Sequence, residues 1–167
     1  TPLYSSAASD VYKRQNWIEG DGYGIEVSAS WRPLDWWKLR VGYTWAQLDL
    51  YALPQSNAPA AQVGIGSPAI SGAVPEHQVQ LVSTMDLPWD FEFDTHLYYV
   101  DDVPLFQLGD YVRLDLRLGW RPLDWLELYV TGMNLIEERH QEWAYEFEFT
   151  ETLVPRSFMA GATLRFF

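Results

Sequence analysis

The residues of this chain that could do chemistry stand in three patterns. Glu92 and Asp94 lie two apart, the spacing at which an extended strand shows two carboxylates on one face, where one could serve as acid and the other as base. Arg113, Asp115 and Arg117 repeat the spacing with alternating sign. That ladder reads functionally as the charged wall of an aqueous path, and plainly as a solvated row of ion pairs worth little. His77, His96 and His140 are scattered, with no pair at ligand spacing, so no metal site is expected. Glycines cluster in "GDGYG" and "GIGSPAISG", but neither run stands between a strand and a helix, so they punctuate loops rather than cradle a phosphate. The pattern favours a wall over a reaction centre: no catalytic residue and no cofactor is expected.

Charges spaced by two need strands to hold them. Period-2 alternation runs through seven segments, about residues 22–32, 37–50, 75–87, 90–101, 110–121, 125–134 and 155–167. One face gathers residues such as Ile25, Val27, Leu39, Val41, Leu81, Leu97, Leu116, Val130 and Leu164, and carries no charge. The other holds Glu26, Arg32, Lys38, Arg40, Asp86, Glu92, Asp94, Arg113, Asp115, Arg117, Glu127 and Arg165. An antiparallel sheet with one oily and one charged face follows. The segments also match the roughly 9 to 11 residues that a tilted strand needs to cross a bilayer.

The connections alternate in length. Corners of a few residues, "PLDW", "PWD" and "PLDW", follow the first, third and fifth segments, and longer stretches, 51–74, 102–109 and 135–154, follow the second, fourth and sixth. Short turns on one rim and long loops on the other are the layout of a transmembrane barrel. The six residues "WRPLDW" occur twice, at 31–36 and 120–125, both on the short-turn rim. Tryptophan settles where a chain leaves the apolar layer, because its ring is apolar and its N–H needs a wet partner. Trp31, Trp37, Trp120, Phe91 and Phe166 are therefore expected in one membrane-interface belt, and Tyr23, Trp45, Tyr99 and Phe158 in the other. Duplication of an ancestral hairpin would leave the same repeated text.

Composition narrows the classes further. The chain is 16% aromatic with nine Trp, yet its mean hydropathy is only -0.19. No run approaches the roughly 18 to 20 apolar residues of a membrane-spanning helix, which leaves crossing by strands. The absence of Cys excludes disulfides and thiolate metal sites, and a net charge of -12 argues against a nucleic-acid partner. Residues 1–15, "TPLYSSAASDVYKRQ", lack the basic start and apolar run of a secretory signal and are expected to be a non-native or disordered leader to a single unit over 16–167. A soluble alternative exists: a sandwich or lipocalin-like barrel would bury the same apolar face as its core. The aromatic belts, the one-sided turn lengths and the size of the Trp side chains speak against it.

The last three segments carry a resemblance. "DYVRLDLRLGWRPLDWLELYVTGMNLIEERHQEW" followed by "VPRSFMAGATLRFF" is similar to the C-terminal end of a TonB-dependent outer-membrane receptor. The matching features are the Asn134-Leu135 pair closing the penultimate strand, the Arg139-His140 pair in the loop after it, Pro155-Arg156 opening the last strand, and Arg165-Phe166 near its end, with Phe167 following. The resemblance spans about 22–167 and implies an open, curved antiparallel sheet of about seven strands, part of a barrel of about 22 strands closed around a globular plug. It implies an importer of a scarce ligand such as a ferric siderophore or cobalamin, placed in the outer membrane of a Gram-negative bacterium. Its partners would be lipid, the barrel-assembly machinery at the last strand, and a TonB complex reached through a plug that these residues do not match. On that resemblance Arg113, Asp115, Arg117, Glu127 and Arg165 would line the lumen, while Arg139, His140 and Glu142 would sit in an extracellular loop. Another outer-membrane pore is the nearest alternative.

Overall fold

The computed structural model describes residues 18–52, 69–70, 72–143 and 152–166. The expected leader, residues 1–15, lies outside them, as do most of the long stretch 51–74 and part of 135–154. The described residues form strands β1 (Ile18–Leu34), β2 (Trp37–Ala52), β3 (Ala69–Ile70), β4 (His77–Leu87), β5 (Phe91–Val100), β6 (Tyr111–Leu123), β7 (Leu126–Met133), β8 (Arg139–Trp143), β9 (Thr152–Pro155) and β10 (Ser157–Leu164). Seven of them make one antiparallel sheet in the order β1-β2-β4-β5-β6-β7-β10, with the two-residue β3 added to β2. The sheet is open. β1 and β10 are its two edges and do not pair with each other.

Register fixes the character of each face. Val27 stands opposite Tyr43, Val41 opposite Leu81, Leu81 opposite Leu97, and Leu97 opposite Leu114. Leu118 stands opposite Val130, which in turn faces Ala160. Apolar residues thus meet apolar residues across all seven strands. A slip of one residue at any ladder would push charges into this face, so the alternation itself selects the pairing.

The two "WRPLDW" corners are the same object built twice. In the first, Trp31 pairs with Leu39 and Leu34 with Trp37; in the second, Trp120 pairs with Leu128 and Leu123 with Leu126, each with an irregularity between the two pairs. Each corner is also tied to the next strand in the sheet. The Trp36 carbonyl accepts the Asp86 N–H at 2.8 Å, and the Trp125 carbonyl accepts the Arg165 N–H at 2.9 Å. The third tight corner, Pro88–Asp90, places Trp89 and Asp90 at φ of 63° and 62° and leaves the Trp89 ring at the rim.

Sequence and structure differ beyond β7. Residues 139–143 and 152–154, read as loop, join Pro155, read as the start of the last strand, in the hairpin β8–β9. Residues 134–138 bulge opposite Arg156 alone, since Met133 pairs with Ser157 and Arg139 with Pro155. Arg156 satisfies that bulge: its N–H reaches the Glu138 carbonyl at 2.9 Å, and its guanidinium reaches the Asn134 and Ile136 carbonyls at 3.5 and 3.4 Å.

Burial runs opposite to that of a water-soluble domain. Among the described residues the one buried hydrophobic side chain is Val103, while Ser83, Asn134 and His140 are buried polar ones. Phe158 is 76% exposed, Trp31 66% and Ile25 60%. On the charged face the Glu127 and Asp115 side chains are only 15% and 17% exposed. On β5 to β7 the charged side chains shelter one another, while oily ones on the edge strands β1 and β10 stand free.

Candidate functional site

The charged face divides into three zones, each placed by strand register. In the first, Arg117 on β6 lies opposite Asp94 on β5, and its guanidinium contacts Glu92 and Asp94 at 3.3 Å each as well as Glu127 on β7. Arg165 reaches Glu127 at 3.2 Å, and Arg121 pairs with Glu92. Three arginines and three carboxylates form one network, closed by Tyr129, whose ring lies 5.4 Å from the Arg117 guanidinium carbon. Tyr129 sits between Gly119 on β6 and Gly161 on β10. A Cβ on Gly161 would run into the Tyr129 ring, so glycine there is what lets the ring lie flat along the sheet. The acid-base reading of Glu92 and Asp94 loses its free partner: both carboxylates are counter-ions to Arg117.

The second zone joins the wall to the β8–β9 hairpin. Arg113 Nε donates to both Asp115 oxygens at 3.0 Å, and Asp115 Oδ1 also accepts the Asn134 N–H at 2.9 Å. Asn134 is 1% exposed at φ 55° and donates from Nδ2 to the Val154 carbonyl at 3.0 Å. Asparagine tolerates that left-handed conformation and supplies the side-chain donor, which is why the residue after β7 is Asn. Opposite Val154 stands His140, 6% exposed, stacked on Tyr111 with centroids 4.2 Å apart and bonded through Nε2 to Glu142 at 2.8 Å. Arg113 lies 3.8 Å from Glu142 and completes the link.

The third zone is on β1 and β2. Arg32, Lys38 and Arg40 share a depression with Ser30, Thr84 and His96. Among the described residues these three cations have no ion pair.

Of the residues singled out from sequence, Arg117, Glu127 and Arg165 come together in the first zone, and Arg113 and Asp115 in the second. His140 and Glu142 also join the second zone, on strand β8 rather than in a loop, with His140 turned inward; Arg139 stands beside them, exposed. No protein family, curated protein or solved structure matches the chain. The rim aromatics divide by partner. Trp120 stacks on Phe91 at 5.6 Å, Trp37 donates from Nε1 to Ser83 Oγ at 2.9 Å, and Trp31 and Phe166 are exposed. Sequence reading missed the roles of Tyr111 and Tyr129. Glycines at 119 and 161, at matched depth on the polar face of neighbouring strands, were the available signal for Tyr129; nothing local marks Tyr111.

Proposed function

We propose that this chain is a stretch of the wall of an outer-membrane β-barrel, and that the barrel belongs to a TonB-dependent receptor importing a scarce ligand such as a ferric siderophore or cobalamin. The inversion of burial carries the membrane half of this reading. A continuous apolar face across seven strands, with side chains such as Phe158 at 76% exposure, is a large adhesive patch in water and an ordinary surface in hydrocarbon. Five of the seven main strands run 10 to 17 residues, long enough to cross the apolar layer, while β7 and β10 run 8. The receptor half rests on the residues around β7 and β10, where Asn134, Arg156 and Arg165 all hold positions the family resemblance singles out. The charged face would then line the lumen, the two "WRPLDW" corners would lie at the periplasmic interface, and the β8–β9 hairpin would project outside the cell.

The chain has no Cys, so single labels report single positions. A fluorophore on Leu116→Cys, in the chain reconstituted into vesicles, is quenched by brominated lipid and shielded from iodide; one on Asp115→Cys shows the reverse. Lipid quenching at both positions, or at 115 alone, removes the membrane assignment of the faces. The receptor half has its own test upstream in the gene, where a globular plug preceded by a TonB box is expected. A gene encoding only barrel strands there leaves another pore as the reading.

A further inference from the structure

The cations of the charged face are treated in two ways. Arg113, Arg117, Arg121 and Arg165 each have a carboxylate within 4 Å. Arg32, Lys38 and Arg40 have none among the described residues, although the chain carries 23 acidic residues against 11 basic ones. Lys38 and Arg40 are two apart on β2, Arg40 pairs with Ser30 across to β1, and Arg32, in the irregular stretch after Trp31, lines the same hollow. Like charges held this close across adjacent strands repel, and the sheet gains nothing from them on its own. Asp94, which also lines the depression, is already engaged by Arg117 at 3.3 Å and does not neutralise them.

We propose that this depression is an anion-binding site for a compact oxyanion carrying several charges, a polycarboxylate or a polyphosphate. The Arg32 and Arg40 guanidinium groups offer paired N–H donors that match the oxygens of either group, and Lys38 adds a point charge between them. Ser30 and Thr84 hydroxyls and the His96 ring line the same hollow and provide neutral hydrogen-bonding groups. The site depends only on the charged face, and stands whichever phase covers the apolar one.

The probes are citrate and inorganic pyrophosphate, titrated calorimetrically at low salt into the whole chain. Far-UV circular dichroism first shows the chain folded, in detergent micelles or, for a chain that folds without them, in buffer. Saturable uptake of one anion per chain is expected, weakening as salt rises. Citrate alone binding identifies a carboxylate site, pyrophosphate alone a phosphate site, and both a site that reads charge and size. Lys38→Gln and Arg40→Gln each weaken binding about tenfold, the effect of losing one charge-assisted contact, while Lys38→Arg preserves it. A folded chain that takes up neither anion overturns the proposal, and so does uptake that survives the Lys38→Gln/Arg40→Gln double substitution unchanged.

Discussion

The hairpins β1–β2 and β6–β7 share a corner and a register, and they can be laid over each other with an offset of 89 residues. On the apolar face the match holds in kind: Ile25 and Leu114, Val27 and Leu116, Trp31 and Trp120, Leu39 and Leu128, Val41 and Val130. On the charged face it breaks. Lys38 stands where the other hairpin has Glu127, Arg40 where it has Tyr129, and Ser28 where it has Arg117. One hairpin is closed by its own ion pairs; the other leaves three cations open. The apolar face is constrained only in kind, and any apolar side chain satisfies it. The charged face is constrained residue by residue, and that is where two hairpins with one corner can come to hold different chemistry.

The largest effect is expected from placing a charge on the apolar face at matched depth in the two hairpins. In lipid, Leu116→Arg and Val27→Arg are each expected to cost about 2–4 kcal/mol in urea unfolding from vesicles, because equal corners put both positions at equal depth. Costs that differ by more than the width of that range would mean that the two hairpins lie at different depths. Next comes the packing beside Tyr129. Gly161→Val forces the ring aside and is expected to cost about 1–3 kcal/mol, with most of the loss recovered when Tyr129→Ala is added. The counterpart Arg40 lies between Ser30 and Val82 and needs no glycine; a Gly161→Val cost that Tyr129→Ala leaves untouched would place the clash elsewhere.

The matched acids Asp115 and Glu26 sharpen the contrast at smaller scale. Asp115→Ala strips acceptors from Arg113 and from the Asn134 N–H and is expected to cost about 1–3 kcal/mol. Glu26→Ala, at an exposed site without an ion pair among the described residues, stays within about 0.5 kcal/mol. Equal losses in a denaturant titration would show that the second zone does not act as a latch. The smallest expected difference is between the rim tryptophans. Trp120→Ala loses about 0.5–1.5 kcal/mol more than Trp31→Ala, the share due to stacking on Phe91. A Phe91→Leu background should erase that difference.

The seven main strands were legible because period-2 alternation is strong wherever one face must be apolar, and Leu114, Leu116 and Leu118 with Arg113, Asp115 and Arg117 leave no other reading. Boundaries were less so: β1 begins at Ile18, where Gly20, Gly22 and Gly24 blank out one face of the pattern. The β8–β9 hairpin was not legible, since Arg139 to Glu142 are polar on both faces and nothing in them alternates. Which charges would meet was equally hidden. Arg117 finds Glu92 and Asp94 through β5–β6 register and Glu127 through β7, information that no single strand contains. The open cations Arg32, Lys38 and Arg40 are visible in sequence as charges, but their lack of partners is visible only once the sheet is assembled.

The tight corners also set an order in time. Turns at 35–36, 88–90 and 124–125 bring their strands together with little loss of chain entropy, and such hairpins form in about 1–10 μs. Residues 53–76 must close before β4 meets β2, and 134–156 before β10 meets β7. The sheet is then expected to assemble from three early hairpins, β1–β2, β4–β5 and β6–β7, with β10 brought to β7 through the β8–β9 hairpin. In refolding followed by labels on β7 and β10, that last contact is expected to lag the β6–β7 contact; a β10 signal that comes first would reverse the order of assembly.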